Sequence, residues 1–211
     1  MDMYSVKEIF YSLQGEGAQS GRPAIFVRFA GCNFWTGREE DRSSAICKFC
    51  DTDFVGTNGT LGGKYPNADS IVEVIKKNWK SSQPAYIIFT GGEPLLQLDR
   101  FLIDAIHHEK WIVAVETNGS VSAPANIDWI CVSPKTPVSS LMQTCGNELK
   151  LVYPQKELEP ADFEHLNFKH FFIQPMDGLD LKKNTALAID FCLSNPKWKL
   201  SLQNHKYLNI R

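Results

Sequence analysis

From Pro84 onward the chain alternates short apolar runs with helical stretches. That alternation restricts it to a sheet of mostly parallel strands joined by right-handed crossovers. Strands are expected over residues 86–89, 112–115, 127–132, 148–152, 170–173 and 199–202. Helices are expected over 98–108 and 182–193, with a helical segment near 161–165. Upstream, 5–12 and 24–29 read as strands rich in β-formers, and 67–69 offers an N-cap to a helix over 70–79. The motifs T-G-G-E-P, E-T-N-G, S-P-K and Q-P-M-D each follow one of these strands directly. All four therefore gather at one carboxyl edge, where parallel α/β sheets bind ligands.

The loop after the strand at 24–29 reaches the same edge and carries three cysteines. Fourteen residues separate Cys32 from Cys47, and two separate Cys47 from Cys50. A two-residue gap lets two thiolates approach one metal centre, and the longer excursion lets Cys32 return to it. Three thiolates suit an iron–sulfur cube with one iron left open. Structural zinc would want a fourth Cys or His, and the nearest histidines, His107 and His108, lie far along the chain. From the cysteines alone, cluster and zinc stand about even. Cys131 and Cys192 sit in apolar runs as small buried hydrophobes do, and Cys145 stands alone before Gly146.

Composition narrows the function classes. A chain of 211 residues, 43% apolar and 22% charged, fits one soluble domain over 1–211 with a sizeable core. A net charge of −2 lacks the basic footprint of a nucleic-acid binder. The start M-D-M-Y-S-V-K-E is no signal peptide, and no apolar run approaches bilayer-spanning length. The expectation is a cytoplasmic protein with reduced cysteines and no membrane partner.

Several residues carry two readings from the sequence alone. The glycines of L-Q-G-E-G make either an ordinary tight turn or a close backbone approach to a ligand. Arg28, interrupting an apolar strand, is either solvated or turned inward toward an anion. Thr52 caps the next turn or offers a hydroxyl to a hard cation. Glu116 and Asn118 fit a simple turn, Lys150 a surface position, and His205 packing. The charges from Arg38 to Arg42 read as solvated.

A three-cysteine loop after an early strand, Phe49 before the last cysteine, and G-G-E-P after a later strand together resemble the radical S-adenosylmethionine (SAM) superfamily. Most members space the first two cysteines by three residues; the gap of fourteen is similar to one branch, the 7-carboxy-7-deazaguanine synthase family. The likeness extends through F-Y-S-L-Q-G-E-G, R-F-A-G-C, C-D-T-D-F, E-T-N-G-S, N-E-L-K, Q-P-M-D-G and H-K-Y-L-N-I.

The resemblance implies conversion of 6-carboxy-5,6,7,8-tetrahydropterin to 7-carboxy-7-deazaguanine with loss of ammonia. A 5′-deoxyadenosyl radical would abstract hydrogen, ring contraction would follow, and SAM would be regenerated. It implies a [4Fe-4S] cluster on Cys32, Cys47 and Cys50, and Mg²⁺ helped by Thr52. Phe49, Gly92, Ser133, Pro134, Lys135, Gln174, Pro175, Met176 and Asp177 would line the SAM site, with Gly91 and Gly92 leaving carbonyls accessible to it, Glu93 adding charge and Pro94 fixing the turn. Leu13, Gln14, Gly15 and Glu16 would recognise the pterin edge. Arg28 would meet the substrate carboxylate, and Thr90, His205 and Arg211 would close the pocket. An electron donor of flavodoxin or ferredoxin type and homodimerisation complete the expectation.

The chain is short for the family's (β/α)₆ barrel, so an abbreviated, incomplete barrel with mostly parallel strands is expected, its open side covered by loops or a partner subunit. Two rivals remain: a radical SAM activase of a partner protein, which would not need Q-G-E-G or Arg28, and a non-enzymatic metal or electron-transfer module, which would want four thiolates.

Overall fold

The computed structural model describes residues 3–211. Its strands are β1 (Tyr4–Leu13), β2 (Pro23–Phe29), β3 (Gly63–Tyr65), β4 (Tyr86–Gly91), β5 (Ile112–Thr117), β6 (Trp129–Val132), β7 (Cys145–Tyr153), β8 (Asn167–Pro175) and β9 (Trp198–Leu200). They form one sheet in the order β3-β1-β2-β4-β5-β6-β7-β8-β9. Every pairing from β2 to β9 is parallel, while β1 runs antiparallel to both β2 and β3. The edge strands β3 and β9 do not meet, so the architecture is the incomplete (β/α)₆ barrel expected.

The abbreviation has a visible cause. Helices α1 (Ala68–Asn78), α2 (Arg100–His108) and α3 (Leu181–Ser194) fill the crossovers before β4, β5 and β9. Between β5 and β8 the crossovers are loops and single 3₁₀ turns, Val138–Ser140 and Pro160–Phe163. The second of these stands where a helical segment was expected: with Pro160 at its start and only four residues, it makes a single turn. A short helix α4 (Asn204–Leu208) and strand β3 were not anticipated, because neither is long enough to show a period.

Strand alternation sorts side chains onto two faces. Val27, Phe29, Ile87, Phe89, Val113 and Val115 point outward onto Ile71 and Ile75 of α1 and Leu102 and Ile106 of α2. Phe10, Phe26, Tyr86, Ile88 and Ala114 fill the concave face with no helix over them. In the second half, Leu149, Leu151, Phe171 and Ile173 pack outward with Ala188 of α3 and Trp198.

The capping residues explain where helices begin. Asn67 accepts from the Ser70 amide at 3.0 Å, and Asp99 accepts from Leu102 at 2.9 Å, so both helices start just after a side-chain cap. The glycine-rich stretch before β3 is tied to β1 rather than free. Gly59 donates to the Lys7 carbonyl at 3.0 Å and Ile9 to that of Thr60 at 2.8 Å. The Lys7 ammonium, almost buried, joins Val55, Asn58 and Asp53.

Candidate active site

The carboxyl ends of β2, β4, β5, β6, β7 and β8 surround a cavity of about 350 Å³. At its rim, the two glycines of T-G-G-E-P serve a contact between strand ends. Gly91 adopts φ 132°, and a Cβ there would lie 2.2 Å from the Phe29 carbonyl. A Cβ on Gly92 would lie 2.1 Å from the Gly31 carbonyl and 2.6 Å from the Cys32 Cβ. Only glycine lets the end of β4 lie directly against the start of the cysteine loop.

Glu93 completes that junction and does not face the cavity. Its carboxylate is fully buried and accepts from Leu95 N at 2.9 Å, Thr117 Oγ1 at 2.8 Å and Asn118 N at 2.8 Å. Burial nonetheless pushes its carboxyl above the ordinary range, against those three donors. Glu93 thus clamps β4 to the end of β5; the charge expected to serve a ligand serves the scaffold.

Cys47, Phe49 and Cys50 line the cavity. Cys32 lies just behind Gly92, where burial raises its thiol. A hydrogen bond from Cys47 lowers the Cys50 thiol to about 6, while the same pairing, with burial, raises Cys47. Among the described residues no three His, Cys, Asp or Glu side chains close onto a single-ion site. All six cysteines are free thiols. Cys131 is buried on the concave face, whereas Cys192 is half-buried and Cys145 exposed.

The loop after β1 reaches the cavity sideways, because β1 runs against the other strands. It crosses the concave face: Gln14 Nε2 donates to Glu116 Oε1 at 2.7 Å, Glu16 pairs with Lys150, and Ala18 N donates to Glu148 Oε2 at 2.8 Å. Lys150 is not a surface lysine. It is 4% exposed, between Glu16, Glu116 and Glu148. Burial works against its charge, but these carboxylates hold the ammonium well above its ordinary value. Burial likewise opposes ionisation of Glu16, and Lys150 reverses that, leaving its carboxyl below the usual range.

The C-terminal segment then closes the open side. Asn204 N donates to the Gly15 carbonyl at 3.1 Å, and a Cβ on Gly15 would collide with His205 Nδ1 at 2.3 Å. Lys206 bridges Asp51 at 2.6 Å and Asp177 at 2.5 Å. Ser12 Oγ donates to the Arg211 carbonyl at 2.6 Å, and the Arg211 side chain reaches Glu8 and Thr60. The cover expected from loops or a partner is here the chain's own tail.

Leu13, Gln14, Gly15, Glu16, Arg28, Thr52, Thr90, Gly92, Ser133, Lys135, Gln174, Pro175, Asp177, His205 and Arg211 all line the cavity. Pro134 and Met176 do not. The Pro134 carbonyl accepts from Gln155 Nε2 at 3.2 Å, and Met176 is bound through its backbone to Tyr153 and Asn184. Both shape loops instead of touching the space. Arg28 is turned inward, and Glu8 takes its Nε at 2.9 Å, so the anion it needs is already partly supplied. The Lys135 ammonium donates to both the carbonyl and Oγ of Ser133 at 2.7 Å, and burial lowers it.

Residues that sequence reasoning missed are the partners: Glu8, Asp51, Glu148, Gln203 and Lys206. Asp51, Glu148 and Lys206 fall within C-D-T-D-F, N-E-L-K and H-K-Y-L-N-I, but the roles of all five exist only through contacts distant in the chain.

A model described as the radical SAM superfamily matches residues 42–143. The chain is 56% identical over 208 residues to a 7-carboxy-7-deazaguanine synthase of Burkholderia multivorans, covering 98% of this chain and 99% of that one. It is 57% identical over 209 residues to a protein of the same name from Bradyrhizobium diazoefficiens, covering 99% of each. In three dimensions it is similar to the crystal structure of QueE from Escherichia coli, with a TM-score of 0.71 and 24% identity over 96% of this chain and 95% of that one, a likeness of fold. On near-full-length identity above one half, the chain belongs to the 7-carboxy-7-deazaguanine synthase family.

Proposed function

We propose that this chain converts 6-carboxy-5,6,7,8-tetrahydropterin to 7-carboxy-7-deazaguanine and ammonia in 7-deazapurine (queuosine) biosynthesis, as a radical SAM lyase. The observation that carries the reading is the full-length identity to synthases, joined to a cavity lined by residues of L-Q-G-E-G, T-G-G-E-P, S-P-K and Q-P-M-D. A half-open cavity of about 350 Å³ is of the size that small-molecule sites have.

The donor set fits the cofactors. Cys32, Cys47 and Cys50 would hold a [4Fe-4S] cluster, leaving one iron without a protein thiolate. Phe49, Gly92, Ser133, Lys135, Gln174, Pro175 and Asp177 would surround SAM, with Pro134 and Met176 supporting from behind. Cluster and SAM together supply one-electron hydrogen abstraction when bound. Thr52 would give a hydroxyl to Mg²⁺. Its neighbours Asp51 and Asp53 are engaged by Lys206 and Lys7, so water and the substrate carboxylate would complete the shell.

The remaining residues bind and orient the substrate. Leu13, Gln14, Gly15 and Glu16 offer acceptors and donors in a row to the pterin's amide and amino edge. Lys150 keeps Glu16 ionised, so it accepts from ring N–H groups. Arg28 presents its free Nη edge to the carboxylate as a planar fork. Thr90, His205 and Arg211 close the space and exclude water.

The test is Cys47→Ala after anaerobic reconstitution. It is expected to remain colourless and inactive; a variant that builds a normal cluster and forms product would end the assignment.

A flavodoxin- or ferredoxin-type donor is supported by exposed Arg38 and Lys48 beside the cysteines, which attract an acidic protein. Reduction by such a donor should slow as salt rises, and a rate indifferent to salt counts against this docking. Homodimerisation is supported by exposed Leu179 just before α3, by exposed Ile189 and Leu193 on α3, and by the unpaired edge of β9. A monomer at micromolar concentration in light scattering would rule it out. Free cysteines support a reducing, cytoplasmic setting, and no helix among the described residues is long and apolar enough to cross a membrane.

A further inference from the structure

The fourteen residues between Cys32 and Cys47 fold into a compact unit rather than a solvated excursion. Ile46 N donates to the Phe34 carbonyl at 3.0 Å, closing the loop at its base. Trp35, 7% exposed, packs edge-on to the buried Phe54 ring at 5.7 Å and donates through Nε1 to the Arg38 carbonyl at 3.1 Å. A 3₁₀ helix, Glu39–Ser44, lies above it.

Arg42 projects from that helix into the cysteine turn. Its guanidinium lies 3.9 Å from the Trp35 ring centroid. Nε and Nη2 donate to the two oxygens of Glu39 at 2.7 and 2.6 Å. Nη1 donates to the carbonyls of Lys48 and Cys50 at 3.1 and 3.2 Å. Those carbonyls flank Phe49, within the turn that sets Cys47 and Cys50 side by side. Among the described residues no other protein donor reaches either one. Arg38, by contrast, is 71% exposed and has only a loose pairing to Glu40 at 3.9 Å.

A planar fork with several fixed donors can grip a carboxylate, stack on an indole and reach two carbonyls at once. A lysine ammonium has three donors but no planar fork, so it cannot grip the carboxylate through two parallel bonds, lie flat on the indole and reach both carbonyls together. We propose that Arg42 is a positioning residue for the metal-binding turn. Stacked on Trp35 and braced by Glu39, it fixes the backbone at Lys48 and Cys50 so that both thiolates face one centre. The long Cys32–Cys47 spacing thereby gains a role: it supplies the brace that a shorter loop has no room to carry. The inference rests on Cys32, Cys47 and Cys50 being the cluster ligands.

The experiment compares Arg42→Ala, Arg42→Lys, Glu39→Gln and Cys47→Ala after anaerobic reconstitution. It reads iron and sulfide content, the rate of iron loss to a chelator, far-UV circular dichroism and the melting temperature. Partners that orient metal ligands are worth about 10- to 100-fold in affinity. Arg42→Ala and Arg42→Lys are therefore expected to keep the fold yet lose iron at least about tenfold faster. Glu39→Gln, which weakens only an exposed brace, is expected to speed loss roughly two- to fivefold. A wild-type rate in Arg42→Lys would overturn the proposal, since charge alone would then suffice, and so would a wild-type rate in Arg42→Ala. If Arg42→Ala does not fold, Arg42→Lys and Glu39→Gln carry the decision. Cys47→Ala separates the two levels: a normal cluster there would overturn the ligand assignment itself, and this inference with it.

Discussion

Lys150→Met is expected to destabilise the protein by about 3–5 kcal/mol, because it leaves a buried carboxylate without its cation. Lys150 is 4% exposed and pairs with Glu16, which Gln203 also holds at 3.1 Å. Around the pair stand Glu116 from β5, Cys131 from β6, Glu148 from β7 and His205 from α4. The pH dependence follows from the directions of the shifts. With its carboxyl held below 4.5, Glu16 contributes stability that is complete above that pH and is lost as pH falls through the folded value. With its ammonium held above 10.5, Lys150 contributes stability that is complete below that pH and is lost as pH rises through the folded value. The wild-type pair is therefore intact across the neutral range. In the variant, only Gln203 and His205 still oppose burial at Glu16, so its carboxyl rises and the deficit should be smaller near pH 5 than near pH 8. Urea denaturation at the two pH values checks this. An equal loss at both would show that lost packing, rather than the unpaired carboxylate, dominates.

Arg28→Ala is expected to lower kcat/KM for the carboxy-tetrahydropterin by about 30- to 4000-fold, the effect of about 2–5 kcal/mol for one partner of a buried charge pair. Cleavage of SAM under a strong reductant should continue, because Arg28 belongs to the substrate-binding group of this reading and its side chain pairs with Glu8 rather than with a cluster or SAM residue. Arg28→Lys should recover only part of the loss, since Glu8 occupies one edge and an ammonium cannot present a second. Turnover of Arg28→Ala at the wild-type rate would remove the carboxylate from this position. Loss of SAM cleavage as well would mean that the Glu8–Arg28–Arg211 group organises the whole pocket.

Much of this was legible in the chain, for identifiable reasons. The strands from β4 to β8 announce themselves as apolar runs, and each is followed by residues that a strand cannot use. Hence the carboxyl-edge cavity, and most of its lining, could be read from linear order. The inward turn of Arg28 needed the structure or the resemblance, because a single charge in a strand carries no facing information without its neighbours' register. Glu93 was misjudged for a related reason. Its motif marks the rim, but the three donors that draw it inward come from beyond it: Leu95 in the next turn, Thr117 at the end of β5 and Asn118 just after it. The antiparallel β1 was invisible too, since strand direction has no local signature. That direction is what lets Gln14 to Ala18 cross to β7, and so decides how the pterin edge would be met.

The apolar floor has a consequence for traffic. Phe10, Phe26, Tyr86, Ile88 and Ala114 fill the lower half of the concave face, and Arg22 stacks on Tyr86 at 3.9 Å. The vessel is therefore stoppered below. Above it, Lys206 and Arg211 fasten the tail beside the cavity, to Asp51 and Asp177 and to Glu8. Those exposed ion pairs are weak individually, so residence time in the cavity should depend on how firmly the tail is held, and should shorten as salt screens them.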